Sequence, residues 1–364
     1  MKRLGYLDLT KGIGIFLVVL GHATFVNEKV ITWVFSFHMP LFFIVSGILL
    51  AKKDFSQITM REFLYGKLET MIVPYLFFSI TYSLIDILSV YFKQISMRDL
   101  KINLICTGTF SGSGPLWFLT TLFFCEILFV FLLKHLGEAK AIAASVLLSC
   151  IGFATNRFFA PVFELSKENL RRYFLLSFPF ELIRCMICLI FIVVPFMLIK
   201  VISRRYPKNE AFLDDSHKIT IKNRSICLIS GVFLLVLTAY LAGFNSNIDI
   251  HNLDYGNVAL FLLNAGLGSF GLILICRCLP SNKLLTPIIF WGKNSLTIMA
   301  THLNFYILFL GNVIAYKINP YIRHAKEYVL LFNILLITML IETILILLLN
   351  RFLPRAVGKR KNPR

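Results

Sequence analysis

The sequence has few charged residues, and it has no polar stretch long enough to form a soluble domain. Only 15% of its 364 residues are Asp, Glu, Lys or Arg, whereas 57% are apolar; soluble domains carry about 25% charged residues. The apolar residues form blocks of about 17 to 23 residues, the length that crosses a bilayer. The composition therefore excludes a soluble globular protein and predicts an all-α polytopic membrane protein.

Metal-binding spacing is also missing from the eight cysteines. Cys185 and Cys188 lie in an apolar run, Cys276 and Cys278 are one residue apart, and no second Cys/His pair follows at zinc spacing. Buried cysteines usually act as small apolar fillers. We therefore expect neither a metal site nor a permanently bound cofactor.

The net charge of +18 is not arranged for nucleic acid. The basic residues lie in loops and tails, where they orient membrane helices. Residues 351–364 are interpreted as a basic cytoplasmic tail close to acidic lipids. We expect membrane lipid as a partner, and no nucleic acid.

Ten membrane helices are predicted, which puts both termini on one side. If that side is the cytoplasm, its segments hold 24 Lys/Arg and the outer loops hold 11, as positive-inside orientation requires. We expect an N-in, C-in protein of the inner (cytoplasmic) membrane with a single transmembrane domain over residues 1–350. The predicted helices are 7–26, 30–50, 72–92, 116–133, 140–157, 178–201, 225–244, 257–276, 288–312 and 328–350.

The first predicted helix carries Lys11 and His22 on one face. They are 11 positions apart, which is three turns plus about 20°, with about 16 Å between them along the axis. Both are costly in a membrane unless that face lines a polar cavity. The alternative is that Lys11 reaches the headgroups and His22 bonds a neighbouring helix.

The second predicted helix carries His38 at a depth similar to that of His22. Pro40 frees a backbone carbonyl nearby, which a membrane helix tolerates where the site is polar. The two histidines therefore indicate a cavity, with a packing role for His38 as the alternative.

Other polar residues within predicted helices have simpler interpretations. Asp8 shares a helix face with Lys11 and can pair with it, and Glu181 with Arg184 is favoured as a structural ion pair. For Glu342, structural and functional roles both stay open.

Two outer loops have a composition that suits acceptor binding. The Gly/Ser-rich loop Thr107–Pro115 is either a connector or an entry for a bulky acceptor, with Trp117 offering a flat face to a sugar ring. The loop Asn245–Asn257, rich in amides and containing Asp249 and His251, suits either hydroxyl recognition or ordinary solvation.

Four segments resemble, in the right order, motifs of the membrane-bound acyltransferase-3 family. The first, LDLTKGIGIFLVVLGHA, has a basic residue, ten residues, then His, and is closest to the fucose 4-O-acetylase-like branch. The resemblance implies an integral membrane O-acyltransferase that moves an acetyl group from acetyl-CoA to a hydroxyl of a cell-surface polysaccharide or lipid-linked sugar. The other segments are FHMPLFFIVSG (Phe37–Gly47), PLWFL (Pro115–Leu119) and GKNSLTIMATH (Gly292–His302).

That reaction assigns roles to the polar residues. A neutral imidazole is suited to take the proton of an attacking hydroxyl, so His22 is the predicted base, with His38 as the second catalytic residue. An acyl-histidine intermediate stays open. Lys11 and Lys67 are expected to bind the phosphates of acetyl-CoA. The residues expected at the substrate are Trp117, Glu126, His302 and Asn304, and residues 292–295 are expected to break their helix.

The sequence departs from the family at both predicted phosphate ligands. The family usually has Arg where Lys11 stands, and many members have an Arg pair where only Lys67 precedes Pro74. Lysine keeps the charge but lacks the bidentate fork. The added hydrolase-like domain of some members is missing from this sequence, so transfer is expected within the bundle.

Two other functions remain compatible with polar residues inside a membrane bundle. A transporter or flippase for a glycan intermediate would fit on physical grounds, although the two halves show no inverted repeat. A polysaccharide polymerase would be expected to have a long outer loop, whereas the predicted outer loops are short.

Overall fold

A computed structural model describes residues 4–205, 221–246, 248–279, 282–318 and 327–359. The end of the predicted basic tail lies outside these residues. Within them every regular element is helical, and an isolated bridge joins Asp249 to Asp254. The α-helices are α1 Gly5–Gly21, α2 Glu28–Phe35, α3 His38–Ala51, α4 Met60–Lys67, α5 Val73–Tyr91, α6 Met97–Gly108, α7 Trp117–Leu136, α8 Glu138–Ser166, α9 Leu170–Cys188, α10 Ile190–Arg205, α11 Ile221–Ala242, α12 Val258–Cys278, α13 Thr286–Lys293, α14 Ser295–Thr301, α15 Ile307–Ile318 and α16 Glu327–Phe352.

The prediction of an all-α polytopic membrane protein is confirmed. In the described ranges, eight helical stretches are long and apolar enough to cross a bilayer. Several join consecutive helices: α2 with α3, α4 with α5 through a π-helical turn at Leu68–Ile72, and α9 with α10. The eight stretches are Glu28–Ala51, Met60–Tyr91, Gly114–Leu136, Glu138–Ser166, Leu170–Arg205, Asn223–Ala242, Val258–Cys278 and Glu327–Phe352.

Two predicted helix boundaries are wrong in ways that matter for the site. The first helix does not reach residue 26 but ends at Gly21, so His22 caps it. The predicted helix 288–312 is three helices, α13 to α15. The predicted break at residues 292–295 is confirmed, because Asn294 leaves helical geometry between α13 and α14. A second break, with Tyr306 at φ 56°, precedes α15.

Two short helices lie in segments predicted as loops. α4 starts with a capping box between Thr59 and Glu62, and α6 starts with one between Ser96 and Asp99. Each pair satisfies backbone donors that a helix start leaves open. The spacing Ser/Thr, two residues, then Asp/Glu is visible in the sequence and marks both starts.

Helix α1 lies at the centre of the bundle, against α3, α12 and α13. Its approach to α13 is so close that a Cβ on Gly12 would clash with the Ile288 carbonyl oxygen, and one on Gly292 would clash with that of Asp8. Small residues allow membrane helices to pack at this distance. The contact fixes the depth and rotation of the helix that carries Lys11 and ends at His22.

Candidate active site

Three helices turn one face each toward a shared interior path. Along α1 this face carries Lys11, Ile15 and Val18, and His22 follows at its end. The faces of α3 and α14 run beside it, from His38 to Leu49 and from Ser295 to Leu303. The path consists of two adjoining cavities, which we call the inner chamber, on the Lys11 side, and the outer chamber, on the His22 side.

The outer chamber has a volume of about 380 Å³ and contains the three predicted histidines. Each lies at a helix end: His22 caps α1, His38 begins α3 and His302 caps α14. The rings of His22 and His302 lie 5.4 Å apart between centroids. The Phe35 ring contacts both His22 and His38 edge-on, at 5.7 and 4.8 Å. His22 and His38 therefore line the same chamber, which agrees with the predicted cavity.

Hydrogen bonding fixes which nitrogen of two of these rings carries the proton. His38 Nδ1 lies 2.9 Å from the Val34 carbonyl oxygen, and His302 Nδ1 lies 2.9 Å from the carbonyl oxygens of Ile298 and Met299. A carbonyl only accepts, so Nδ1 is the donor and Nε2 of each neutral ring is left as an acceptor. The Nε2 atom of His302 is buried and has no hydrogen-bond partner among the described residues.

The roof of the outer chamber is made by two outer loops joined through a buried arginine. Arg184 pairs with Glu181 at 2.7 Å, so the predicted structural ion pair is confirmed. Its guanidinium also donates to the carbonyl oxygens of Ser111, at 3.1 Å, and His251, at 2.9 Å. A charge buried to 1% exposure requires such partners, and its partners here hold both loops over the chamber.

Trp117 belongs to this roof and lines the outer chamber. Its ring stacks on His251 with centroids 5.8 Å apart, and the guanidinium of Arg184 lies over it at 5.1 Å. These contacts leave the residue 7% exposed. Burial, and secondarily the Arg184 charge, lowers the pKa of His251 to about 3, so this loop imidazole is neutral at physiological pH.

The inner chamber has a volume of about 210 Å³ and contains Lys11, Lys67 and Glu126. Both lysines are in ion pairs: Lys11 with Asp8 at 2.8 Å, as predicted, and Lys67 with Glu126. The other oxygen of Glu126 accepts from Ser46. The two predicted phosphate ligands therefore lie in one chamber, and Glu126 lies there with them, apart from the histidines.

Lys67 also lines a further cavity of about 590 Å³, which contains Lys53. Glu62 and Gly66 line this cavity and also a neighbouring groove of about 730 Å³. The other residues that line the groove include Arg61 and Arg355. The π-helical turn at Leu68–Ile72 directly follows Lys67. The cationic side chains of this cavity and groove outnumber the acidic ones, Glu62 and Glu69.

Asn304 is placed differently from the other predicted substrate residues. Its side chain lies against Gly114 beside the roof, and it is not one of the residues that line either chamber. Glu342 accepts a hydrogen bond from Thr301 at 2.8 Å, one residue before His302, and its second oxygen is buried without a partner among the described residues.

Some lining residues were not selected from the sequence. Asp249 and His251 line the outer chamber; the composition of their loop suits hydroxyl recognition or ordinary solvation alike, so the sequence does not select them as site residues. Val18, Met39 and Met299 lie where the two chambers meet; an apolar residue in a membrane helix carries no signal for such a position. The described residues contain no group of three or more His, Cys, Asp or Glu that could hold a metal ion.

Comparison with known proteins gives a match at the level of the family. The family model for an acyltransferase domain, that of the acyltransferase-3 family, matches residues 4–349. No curated protein and no solved structure matches the chain. The matched range includes both chambers and every predicted site residue.

Proposed function

The chain belongs to the acyltransferase-3 family, and on that premise we propose that it transfers an acetyl group from acetyl-CoA to a sugar hydroxyl. The acceptor is a cell-surface polysaccharide or its lipid-linked precursor, as in the fucose 4-O-acetylase-like branch that the first motif resembles. The observation that carries the proposal is the arrangement of two adjoining chambers, with lysines in one and histidines in the other.

The donor fits this path from the inner end. Its phosphates would meet Lys53 and Lys67, which line the inner opening, and Lys11 deeper inside. Its pantetheine arm is similar in length to the axial separation of about 16 Å between Lys11 and His22. The thioester would then lie in the outer chamber, while the charged end stays close to the cationic side chains.

Transfer in the outer chamber requires one proton to move twice. The acceptor oxygen attacks the thioester carbonyl carbon, and His22 takes the hydroxyl proton as the C–O bond forms. When the C–S bond breaks, the imidazolium returns that proton to the thiolate, which leaves as coenzyme A. His38 and His302, each anchored through Nδ1, present Nε2 as a fixed acceptor that can bind other hydroxyls of the sugar and so orient the one that attacks.

The acceptor would approach from the roof side. Asp249 and the loop around it line the outer chamber, and a carboxylate is suited to accept hydrogen bonds from sugar hydroxyls. Trp117 would supply an apolar edge to the sugar rather than a free ring face, because His251 and Arg184 already contact its ring. The acceptor end of the site is therefore built from loops and the donor end from helices.

The decisive experiment measures label transfer from radiolabelled acetyl-CoA to a glycan fraction in membranes that contain the protein, with acetyl-CoA binding measured on purified protein. We expect both binding and transfer. If neither binding nor transfer occurs over a broad acceptor panel, transport of a glycan intermediate becomes the better explanation of the two chambers.

The direction of transfer also depends on orientation in the inner membrane. We propose that both termini are cytoplasmic, which follows from 24 against 11 Lys/Arg on the two sides. A reporter fused after Arg364 should respond as cytoplasmic, and one inserted between α11 and α12 as external. Two reporters on the same side would contradict the orientation and the cytoplasmic entry of the donor.

A further inference from the structure

The inner and outer chambers have three lining residues in common: Val18, Met39 and Met299. One comes from each of the helices α1, α3 and α14. All three are buried, with exposures of 4%, 8% and 5%. We call this ring of side chains the collar.

The collar lies at the same point of all three helix faces. On α1, Val18 is between Lys11, in the inner chamber, and His22, in the outer one. Met299 of α14 likewise lies between Ser295, which lines the inner chamber, and His302, which lines the outer one. On α3, Met39 follows His38 of the outer chamber and precedes the residues that line the inner chamber. Anything that passes between the lysines and the histidines along this path must therefore pass the collar.

The side chains of the collar suit a narrow passage that adapts to what fills it. Methionine has three rotatable bonds and packs around irregular shapes, whereas the β-branched valine is restricted at χ1. The collar thus has one fixed wall and two movable ones. Its apolar atoms offer no hydrogen bond to water or to a sugar, so a polar molecule that enters it loses hydration without replacement.

We propose that the collar selects the acyl donor by cross-section and closes the boundary between the two chambers, so that water from the inner chamber does not reach the thioester in the outer chamber and the acceptor does not pass inward. A thin arm with a small or unbranched acyl group threads between the methionines, which then close around it. A branched acyl group does not fit. This inference rests on the proposed acyl transfer and assigns its donor specificity to three residues that take no part in proton transfer.

Widening the collar tests this selection. The measured quantity is the ratio of transfer from isobutyryl-CoA to transfer from acetyl-CoA. Met39→Ala and Met299→Ala should raise this ratio about 10-fold or more, the scale on which an apolar pocket discriminates methylene groups. Release of free acetate from acetyl-CoA without acceptor should rise with this ratio, because water from the inner chamber then reaches the thioester in the outer chamber.

The matched control is Met71→Ala. Met71 is also a buried methionine of the inner chamber but is not part of the collar, so its substitution should leave the ratio unchanged. An equal rise in Met71→Ala, or an unchanged ratio in both collar variants, would overturn the inference.

Narrowing the collar gives a readout that does not depend on activity. Val18→Phe should block the arm, so that acetyl-CoA binds no more tightly than the adenosine bisphosphate fragment of coenzyme A, while the fragment itself binds as before. Undiminished preference for acetyl-CoA in Val18→Phe would contradict passage through the collar. Met39→Leu and Met299→Leu, which conserve volume, should leave the ratio of isobutyryl to acetyl transfer close to that of the wild type; a rise as large as in the alanine variants would contradict selection by cross-section.

Failure of the collar and failure of the proposed function are separable. A wild-type protein that binds acetyl-CoA but transfers nothing to any glycan argues against the function, and the binding measurement with Val18→Phe still decides on the collar. A wild-type protein that transfers acetyl groups, with collar variants of unchanged donor preference, argues against the collar alone.

Discussion

The two chambers differ in how their polar groups are satisfied. In the inner chamber the cations have protein partners, since Lys11 pairs with Asp8 and Lys67 with Glu126. In the outer chamber, Nε2 of His302 is buried without a partner among the described residues. A paired cation can hold an anion by exchanging one partner for another, whereas an unpartnered acceptor is costly until a donor arrives. The inner chamber is suited to binding and the outer chamber to chemistry.

The largest expected effect comes from removing His22. His22→Ala should lower acetyl transfer by about 10² or more, the usual scale for loss of a general acid–base group, because the variant lacks the imidazole that takes the hydroxyl proton in the proposed mechanism. Transfer is measured in membranes after the amount of inserted protein has been matched. His135→Ala, which removes an exposed histidine at the other end of the bundle, should leave transfer unchanged. An active His22→Ala protein would falsify the assignment of the base.

Removing either anchored histidine should cost less. His38→Ala and His302→Ala are expected to lower transfer by about 10-fold, below the effect of losing the base itself, because in the proposed mechanism these rings hold other hydroxyls of the sugar and so orient the one that attacks. His302→Asn discriminates further, since its amide can still donate where Nδ1 does but offers nothing at Nε2. If His302→Asn is as active as the wild type, the ring serves only as a structural anchor.

The inner chamber should respond through donor affinity. Lys11→Ala is expected to raise the KM for acetyl-CoA by about 10-fold with a smaller change in kcat. The lysine would bind the donor equally in the ground state and in the transition state, so its loss weakens donor binding without raising the barrier of the chemical step. Lys11→Arg keeps the charge and should stay close to wild type. Lys29→Ala, in an exposed position at the outer end, is the control. A fall in kcat with unchanged KM would contradict a binding role for Lys11 and would indicate a role in the chemical step.

The smallest expected effect is a gain in affinity for acetyl-CoA and not a loss. Glu126→Gln removes the carboxylate that would compete with phosphate for Lys67. Acetyl-CoA should therefore bind more tightly, by about 5-fold or less, which corresponds to about 1 kcal/mol; in this pair the carboxylate is buried and the lysine is partly exposed. Calorimetric titration of purified protein checks the change. Weaker binding in Glu126→Gln would mean that Glu126 positions Lys67 and does not compete for it.

Helix spacing was sufficient to predict part of the site. The 11-residue interval between Lys11 and His22 predicted one shared face, and both residues do line one path. The same approach overextended the first helix to residue 26, because apolar content continues past Gly21 while the backbone does not. Periodicity identifies a helix face well and a helix end poorly.

The remainder of the site depends on contacts between residues distant in the sequence. The bond from Arg184 to the His251 carbonyl joins residues 67 positions apart, and the bond from Ser46 to Glu126 joins residues 80 apart. Neither pairing has a local signal. The collar is harder still to predict from the sequence, since valine and methionine, the residue types of Val18, Met39 and Met299, are common in membrane helices.

The π-helical turn at Leu68–Ile72 has a consequence for changes in chain length. A π turn holds about one residue more than an α turn, so deletion of one residue there could restore a regular α-helix. Everything on the Lys67 side would then rotate by about 100° relative to α5, and Lys67 would leave the inner chamber. This segment therefore tolerates substitution far better than a change in length, and a homologue one residue shorter here would have to draw its cation from a different position of the helix.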